Sequence, residues 1–490
     1  MKLYFYGHEY KYAAEQMLLT LFPDQRPEYP EGPPLPGEDA LRLSLSVGGQ
    51  WVTATADLTW QGTRHTARRR CRTAELTGPM ETGRACQRIL KLAFYRVGVQ
   101  ALGAEPPWGA LTGVRPVKIP TKAMLAGKTE RQAEKLLRQD YFVTEDRAKL
   151  AMDCARASLA ADRSLAADEV SLYAGIPFCP TRCAYCSFIC ADAGRSLKLI
   201  EPYLEGLVQE VEQAGEGLKR AGKVIRSLYV GGGTPTTLSA RQLDVLLTAM
   251  EHHLPLSRCT EYTVEAGRPD TITPEKLQVL HEHGIGRISI NPQSLEDHVL
   301  EAIGRQHTAG EILRANELAR QVGFECINMD LIAGLPQDSF RGFCRSLEGV
   351  LAMEPENITV HTLALKKGSR LMEQRGASPS GEEVARMLEF SNRTLRAAGY
   401  LPYYLYRQKY MSGSLENVGW ARPGKENLYN ICMMEELHSV LSLGAGGVTK
   451  LVDRASGAIR RISNPKYPYE YMEQLPNILE QKGTLWDPVR

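Results

Sequence analysis

Three cysteines lie within eight residues of one another, in a Cys-x3-Cys-x2-Cys pattern formed by Cys179, Cys183 and Cys186. Thiolate is a ligand that both iron and zinc favour, so three thiolates in one loop can hold a metal centre. A four-iron cluster held by only three thiolates keeps an open iron position, where a reactant can bind. The pattern therefore predicts a reactive iron–sulfur site. The alternative is a structural zinc site in which Cys190 supplies a fourth thiolate.

The elements that must position these thiols begin near residue 170, where short β-rich runs alternate with amphipathic helical stretches. Such alternation is typical of parallel βαβ units. The helices are predicted around 200–219, 240–252, 274–283, 311–322 and 340–353. The strands are predicted at Ser171–Pro177, Ile225–Gly231, Glu261–Ala266, Arg287–Asn291, Glu325–Leu331 and Ile358–Leu363.

Six such units in succession predict an α/β fold with a partial (β/α)6 barrel, and an open doubly wound sheet is the main alternative. In either fold, ligands bind at the carboxyl ends of the strands. We expect the barrel to span residues 166–370, followed by a substrate-covering C-terminal extension over 371–490. The chain before it, residues 1–165, is predicted to be a separate α+β module to which the sequence assigns no chemistry.

Within the N-terminal module, the runs Leu41–Val47 and Trp51–Leu58 predict two strands, and Ala85–Gly98 has helical spacing. The proline-rich segment Pro27–Pro36 predicts a loop between the first helix and the first strand. The arginines of 68–72 form the one local concentration of charge, and we interpret them as a solvated edge or loop, with an anion-binding role as the alternative.

The overall composition argues against several classes of function. Lysine and arginine number 59 against 57 aspartates and glutamates, and a net charge of +2 gives no reason to expect a nucleic acid or a membrane surface as partner. The N-terminus lacks the pattern of a signal peptide, and no apolar run reaches the roughly 18 residues of a membrane span. These features predict a cytoplasmic protein, in which clustered cysteines indicate metal or redox chemistry.

The cysteine loop, with aromatic Tyr185 just before its third cysteine, resembles that of the radical S-adenosylmethionine (SAM) superfamily. Across roughly residues 170–450, the chain is more narrowly similar to the oxygen-independent coproporphyrinogen III oxidase group. Within that group it resembles the HemZ type, through the segments Leu111–Pro116, Tyr403–Lys409 and Leu415–Gly419 and the additional N-terminal module. The resemblance implies a [4Fe-4S] cluster on the three cysteines and SAM as second cofactor.

The resemblance also implies a set of cofactor-binding residues at successive strand ends. Tyr173 would lie near the sulfonium of SAM, Glu265 would bind the cofactor, and these two are the predicted catalytic residues. Asp330 would hold ribose hydroxyls, and Ile332 would pack on adenine. The remaining expected SAM contacts are Tyr185, Gly232, Gly233, Thr234, Gln293, Arg305, Thr362 and Val448.

The activity implied by the resemblance is oxidative decarboxylation of two propionates of coproporphyrinogen III, which gives the vinyl groups of protoporphyrinogen IX. The expected partners are that substrate and an unidentified electron-donor protein. The alternative is a haem-binding trafficking protein of the same superfamily. Two departures bear on this choice. Phe188 occupies a position where the oxidase has a further cysteine, and the stretch Glu426–Asn430 lacks the histidine of the haem chaperones' His-Asn-x-x-Tyr-Trp motif.

A substrate with four carboxylates needs cationic groups beyond those that bind the cofactor. Arg407 and Lys409 alternate along a tyrosine-rich segment and would share one face if it is extended, with Tyr404 and Tyr406 on the other. We expect this pair to bind propionates, and a solvated edge strand is the alternative. The next candidates are Lys366, Lys367 and Arg370.

Overall fold

The computed structural model describes residues 1–76, 78–186, 191–192, 196–364, 369, 371, 378–408 and 415–486. The chain divides into two compact units, of which the first comprises essentially residues 1–152 and the second nearly all of 153–490. The candidates Phe188, Cys190, Lys366, Lys367, Arg370 and Lys409 lie outside the described residues.

The first unit contains a four-stranded sheet in the order β1-β2-β3-β4, in which β1 is parallel to β2 and the other pairs are antiparallel. One face packs on two helices, because alternate residues of β3 (Val52, Ala54, Ala56 and Leu58) are apolar and fully buried. The elements are β1 Lys2–Tyr6, α1 Lys11–Leu21, β2 Ala40–Val47, β3 Trp51–Trp60, β4 Thr63–Arg72 and α2 Pro79–Leu102.

One detail of this unit differs from the sequence prediction. A strand, β1, precedes the first helix, so the proline-rich loop does not lead to the first strand of the chain. The arginine-rich segment forms the edge strand β4, which confirms the first of its two predicted placements, a solvated edge. Its side chains alternate, so that Arg68, Arg70 and Arg72 are exposed on one face while Cys71 is buried on the other. Three further helices follow, α3 Lys118–Leu125, α4 Glu130–Lys135 and α5 Glu145–Ser164, of which α5 continues into the second unit, and Thr129 caps α4 in a capping box.

The second unit is built on six parallel strands that neighbour one another in the order in which they occur along the chain. This order confirms the (β/α) arrangement, because a doubly wound sheet reverses its strand order at a switch point. The strands are β5 Glu169–Ile176, β8 Val224–Gly232, β9 Glu261–Glu265, β10 Arg287–Ser289, β11 Cys326–Ala333 and β12 Asn357–Thr362, while β6 Phe178–Cys179 and β7 Ala191–Asp192 pair in a separate two-stranded sheet.

Helices connect these strands and begin at polar caps. Ser239 and Thr308 each form a capping box, in which the hydroxyl accepts a hydrogen bond from the amide three residues later. Five of these helices confirm the prediction, and the short α9 was not predicted. The helices are α6 Ile200–Arg220, α7 Ala240–His253, α8 Pro274–Glu282, α9 Asp297–Ala302, α10 Ala309–Val322 and α11 Phe340–Ala352.

The C-terminal region extends the same sheet at both edges, so the partial barrel is open. A strand parallel to β5 is added at one edge, and an antiparallel strand is added beside β12 at the other. None of the helices in the described ranges is long and apolar enough to cross a membrane. The elements are α12 Gly381–Ala397, β13 Leu401–Tyr406, β14 Asn417–Ala421, α13 Leu428–Glu435, β15 Val440–Leu443, β16 Val448–Val452, β17 Ile459–Ser463, α14 Pro468–Glu473 and α15 Leu475–Thr484.

A buried network holds the glycine-rich turn after β15 against the end of β5. The Tyr203 hydroxyl donates a 2.7 Å hydrogen bond to the carbonyl of Gly175 and accepts one of 2.9 Å from the amide of Ala445. The carboxylate of Glu210 accepts hydrogen bonds from the amide of Gly444 and the hydroxyl of Tyr471, both at 2.7 Å. These bonds satisfy buried polar groups and fix the end of β5, from which the cysteine loop starts.

Candidate functional site

A cavity of about 480 Å³ lies at the carboxyl ends of the parallel strands, where the fold class predicts a ligand site. Its wall takes residues from the ends of all six strands, from the cysteine loop and from the start of α13. Of the predicted site residues, the cavity lining includes Tyr173, Cys179, Cys183, Tyr185, Cys186, Gly232, Gly233, Thr234, Glu265, Gln293, Arg305, Asp330, Ile332 and Thr362.

The three cysteines reach the cavity through a short loop that is held by backbone hydrogen bonds, one to another part of the chain and one within the loop. The Ala184 amide donates to the carbonyl of Ile303 at 2.9 Å, and the Cys186 amide donates to the carbonyl of Cys183 at 3.2 Å. Cys183 is buried, whereas Cys179 and Cys186 are half-buried. The Cys179 sulfur lies 3.4 Å from the hydroxyl oxygen of Thr234. All three thiols therefore line the cavity from one side.

These thiols do not converge as the ligands of a single ion would. In the described part of the chain, no three histidine, cysteine, aspartate or glutamate side chains are assembled as a metal site. Ligands of a four-iron cluster surround a larger body and bind different irons, so they do not meet at one point. The shared cavity and the donor type suit a cluster, and the described geometry gives no support to a zinc site.

Arg268 lies beside the cysteine loop and was not predicted from the sequence. It follows β9 and is almost fully buried, and its Nη1 is 3.1 Å from the hydroxyl of Thr181 and 3.7 Å from the sulfur of Cys183. Asp270 holds the guanidinium through bonds of 2.8 and 2.9 Å. The guanidinium therefore places a positive charge beside a sulfur of the cysteine loop.

The glycines at the end of β8 permit a close approach of two backbones. A Cβ atom at Gly233 would lie 2.5 Å from the carbonyl oxygen of Phe178, and Gly232 has a φ of 110°, which side-chain-bearing residues rarely adopt. The amide of Thr234 donates a 2.7 Å bond to that same Phe178 carbonyl. The glycines therefore bring β8 against the segment that carries Cys179, and their predicted contact with the methionine part of SAM stays a prediction.

Glu265 ends β9 inside the cavity and shares a hydrogen bond with a tyrosine. The Tyr229 hydroxyl donates to its Oε1 at 2.6 Å. Burial raises the pKa of Glu265 to about 7; the hydrogen bond from Tyr229 opposes this rise, and the nearby charge of Asp330 adds to it. Burial, together with the charge of Glu265, also raises the pKa of Tyr173. Glu265 therefore changes its charge near neutral pH.

Three tyrosine rings stack beneath this carboxylate. The ring of Tyr229 lies 4.6 Å from that of Tyr429 and 6.2 Å from that of Tyr173, measured between centroids. Tyr429 belongs to α13, which is far in sequence from the strands of the other two tyrosines. Glu261 fixes the start of this helix, because its carboxylate accepts hydrogen bonds from the amides of Leu428 and Tyr429 at 2.7 and 2.9 Å. A carboxylate at a helix N-terminus is favourable electrostatically. Sequence reasoning missed Tyr429, because only the fold brings it to β5 and β8.

Gln293 and Arg305 face the cavity from the fourth βα unit. Gln293 has a φ of 69° and is held by backbone bonds to Asp330 and Ile332. Arg305 donates to the carbonyl of Asn291 at 2.6 Å and to the hydroxyl of Tyr185 at 3.2 Å. Burial alone would lower the pKa of Arg305, but the neighbouring Tyr185 and Cys183 outweigh it, so the guanidinium is held charged.

Unsatisfied polar atoms in this part of the cavity indicate a polar ligand. Among the described residues, Gln293 Oε1, Asn291 Oδ1 and Arg305 Nε are buried and have no hydrogen-bond partner. A buried polar atom without a partner costs free energy, which a bound ligand can offset. All three residues line the cavity beside the cysteine loop. They fit a cofactor rich in polar groups that is bound next to a cluster.

Asp330 is the acid at the end of β11, and it is linked to His361. Its Oδ1 accepts a 2.9 Å bond from Asn328, and its Oδ2 lies 3.6 Å from His361 Nε2. The Tyr406 hydroxyl is 3.4 Å from His361 Nδ1. Burial raises the pKa of Asp330, but His361, Asn328 and Thr359 outweigh it and hold the net pKa low. The carboxylate is therefore charged and can accept hydrogen bonds from hydroxyl groups.

The two remaining predicted contacts differ in position. Thr362 lines the cavity, although its hydroxyl donates to the carbonyl of Glu416 at 2.7 Å. Val448 begins β16, where it pairs with Ser463, and it is not among the described residues that line the cavity. A direct contact of Val448 with a ligand of this cavity receives no support from its position.

The expectation for the tyrosine-rich segment was wrong in one respect. Tyr406 and Gln408 line the cavity, whereas Arg407 between them does not. Alternation along an extended segment points Arg407 away from its neighbours, and it is buried there. Burial lowers the pKa of Arg407 to about 10, against the opposing charge of Glu416. Arg407 is therefore a buried charge in the fold rather than a cation at the cavity.

Comparisons with known proteins agree with this fold and cavity. Residues 173–347 match the family model described as the radical SAM superfamily. The structure superposes on the coproporphyrinogen III oxidase HemN of Escherichia coli, a radical SAM enzyme, with a TM-score of 0.52 and 22% identity, covering 66% of this chain and 72% of that one. Fold and cysteine site together define a radical SAM protein, whose cofactors are a [4Fe-4S] cluster and SAM.

Similarity to a curated relative is closer. The chain is 39% identical to the oxygen-independent coproporphyrinogen-III oxidase-like protein HemZ of Bacillus subtilis, over 91% of this chain and 90% of that protein. It is 32% identical to the haem chaperone HemW of the same organism, over 53% of this chain and 66% of that protein. The chain therefore belongs to the oxygen-independent coproporphyrinogen-III oxidase-like family of the radical SAM superfamily.

Proposed function

We propose that this protein catalyses the oxidative decarboxylation of two propionate side chains of coproporphyrinogen III, giving protoporphyrinogen IX. The observation that carries the proposal is the 39% identity to HemZ, which extends over 90% of that relative. The similarity therefore includes the N-terminal module and the C-terminal extension as well as the radical SAM region at residues 173–347.

The chemistry needs one electron from a low-potential donor and returns one electron to an acceptor for each propionate. When bound, the cofactors supply a 5′-deoxyadenosyl radical, which takes a hydrogen atom from the propionate before carbon dioxide and an electron leave. Cys179, Cys183 and Cys186, which line one side of the cavity, would hold the cluster. The electron-donor protein is a required partner whose identity the proposal leaves open.

The protein's own groups bind and orient SAM. Asp330 is held charged and would accept hydrogen bonds from ribose hydroxyls, while buried Ile332 offers an apolar surface for adenine. Gln293 Oε1 would accept a hydrogen bond from a donor group of the cofactor. Glu265 lies at the end of β9, where it would contact the amino group of SAM. Tyr173 lies within β5, where it would be near the sulfonium.

The remaining wall of the cavity suits a large substrate with an apolar body and acidic arms. Tyr406, Tyr429, Met433 and Met434 supply aromatic and polarizable surface. Among the residues described, Arg268 and Arg305 are the cations that line the cavity, and both are engaged next to the cysteine loop. The substrate carboxylates therefore require other partners, and Lys366, Lys367 and Arg370 remain candidates from the sequence.

A haem-binding trafficking role is the second candidate, because HemW proteins match about half of this chain. The position of their motif histidine is Glu426 here, which removes a natural iron ligand. Hypotheses of catalysis and of haem binding make opposite predictions for the same preparation. Catalysis requires product formation that depends on the cluster, whereas a haem carrier requires stoichiometric haem binding without turnover.

The test uses anaerobically reconstituted full-length protein. One portion is incubated with coproporphyrinogen III, SAM and a strong reductant, and the products are analysed by mass spectrometry. A second portion is titrated with haem and followed by absorbance. Catalysis predicts vinyl products in the wild type and none in Cys183→Ala. Saturable one-to-one haem binding without products would instead support the trafficking role.

A further inference from the structure

The N-terminal unit contains a cavity of its own, of about 320 Å³, to which the proposed function assigns nothing. One wall is a face of α2, and the other includes the loop Ala110–Gly113 together with Tyr141. This loop overlaps Leu111–Pro116, a segment that the sequence singled out but that the radical SAM site does not use.

The cavity is strongly cationic. Arg84, Arg88 and Lys91 occur at positions i, i+4 and i+7 of α2, so they share one face of the helix and span about 10 Å. None of the described residues that line the cavity is a carboxylate. None of the three cations forms an ion pair with any described residue. They therefore concentrate positive charge in a concave site whose described lining contains no acidic side chain to balance it.

The charge of the whole unit favours the same kind of ligand. Residues 1–152 contain 22 lysines and arginines against 16 aspartates and glutamates, a net charge of +6. The rest of the chain contains 37 against 41, a net charge of −4. The near-neutral total thus hides a basic N-terminal unit, which attracts anions over a distance of about one Debye length.

Lys91 is the central group. It is half-buried between the helix and the loop, and its Nζ donates a 3.0 Å hydrogen bond to the hydroxyl of Thr112. Burial lowers the pKa of Lys91, and no acidic neighbour opposes that shift. Removing an ammonium group from water without a counter-charge is unfavourable, and a bound anion would reverse the penalty.

The rest of the wall is mostly apolar. Leu92, Leu111 and Ile119 border the cations, and Tyr141 adds an aromatic ring. A single inorganic ion would leave this surface uncovered. An organic ligand with a compact apolar body and two or more negative groups would satisfy both parts of the cavity.

We propose that this cavity binds a small organic polyanion, with its carboxylate or phosphate groups on Arg84, Arg88 and Lys91. The guanidinium groups would bind an oxyanion in bidentate fashion, and Lys91 would act as a point charge. The site is independent of the radical SAM cavity and of the function proposed for it.

Isothermal titration calorimetry on the reconstituted full-length protein tests the proposal. Tricarballylate serves as the carboxylate probe and 1,4-butanediol bisphosphate as the phosphate probe, with cluster absorbance monitored throughout. Saturable one-to-one binding of either probe supports the site, and the preferred probe identifies the anionic group. If neither probe saturates by about 10 mM, the proposal is overturned.

Variants separate a specific site from general attraction. Lys91→Met keeps the aliphatic stem and should weaken binding of the probe by about 10-fold or more, as should Arg84→Ala combined with Arg88→Ala. The matched control is Arg68→Ala with Arg70→Ala, which removes the same charge from the exposed face of β4 and should alter affinity within about twofold. Equal weakening by both double variants would overturn the proposal. Because Arg84 and Arg88 are exposed, that pair keeps the test valid even if Lys91→Met fails to fold.

Discussion

The hydroxyl of Tyr229 donates a 2.6 Å hydrogen bond to Oε1 of Glu265, at the end of the third parallel strand. This bond couples the tyrosine stack to the carboxylate that is expected to bind SAM. Without it, the pKa of Glu265 would rise further, because burial already raises that pKa to about 7 and Tyr229 works against the shift. Tyr229 therefore moderates the effect of burial on the protonation of a carboxylate that we propose binds SAM.

SAM affinity should depend on pH through Glu265. The carboxylate would accept hydrogen bonds from a cationic ligand, and its negative charge is lost as the pH falls through about 7. We expect the Kd for SAM to increase between pH 8.5 and pH 6. Tyr229→Phe removes a hydrogen bond that lowers the pKa of Glu265, so the increase should begin at a higher pH. Equilibrium dialysis at a series of pH values measures both effects.

Glu265→Gln is the control for this pH dependence. It keeps the shape of the side chain and removes the titrating group, so its SAM affinity should be weak and nearly constant with pH. A variant that retains the pH dependence of the wild type would show that another group titrates.

The cysteine loop makes a sharper prediction about cluster assembly. Replacing Cys179, Cys183 or Cys186 by alanine should abolish bound iron and SAM cleavage, because an open iron position requires the other three irons to be held by thiolates. Cys190→Ala should retain both properties. Iron content and 5′-deoxyadenosine formation measure the outcome, and loss of iron from Cys190→Ala would identify a fourth ligand.

Arg268 should tune the cluster. Its guanidinium lies 3.7 Å from the Cys183 sulfur, and a positive charge there favours the more negative, reduced state. Arg268→Met should lower the reduction potential on the order of tens of millivolts, whereas Arg268→Lys should preserve most of it. A redox titration followed by electron paramagnetic resonance provides the measurement. An unchanged potential in Arg268→Met would assign this arginine to the structure of the loop alone.

Most of the second unit could be predicted from its sequence. Strands such as Cys326–Ala333 are short, mostly apolar runs between helices with clear 3.6-residue periodicity, and the local pattern indicates both elements. The strands that the C-terminal region adds to this sheet were harder to predict. Val440–Leu443 has only four residues, and it belongs to the sheet because it pairs with β5, which is about 270 positions away. Long-range pairing of this kind leaves no local signal.

The site shows the same division. Glu265, Gln293 and Asp330 could be placed because strand ends of parallel units meet at one edge of the sheet. Tyr429 and Arg268 could not be predicted in this way. Tyr429 reaches the cavity because Glu261 caps the helix that contains it, and Arg268 reaches it through a tertiary contact with Cys183. The prediction for Arg407 was wrong for a local reason. Side chains do alternate along this strand, but the cavity lies on the face of Tyr406 and not on that of Arg407.

Asp330 should contribute directly to SAM binding. Asp330→Ala should weaken affinity by about 1–3 kcal/mol with the cluster intact, because a ribose hydroxyl would lose its acceptor in a closed site. Asp338 lies outside the cavity lining, and Asp338→Ala is the matched control. Equilibrium dialysis and iron content measure the two properties. Equal affinity in wild type and Asp330→Ala would leave Asp330 as a partner of Asn328 and His361 only.

The most direct test of the proposed function follows one hydrogen atom. Coproporphyrinogen III deuterated at the propionate carbon next to the ring is incubated anaerobically with the reconstituted protein, SAM and reductant, and both products are analysed by mass spectrometry. We predict one deuterium in 5′-deoxyadenosine for each vinyl group formed, and no product from Cys183→Ala. Formation of 5′-deoxyadenosine without deuterium, together with unchanged porphyrinogen, would contradict the proposal that this cavity decarboxylates the substrate.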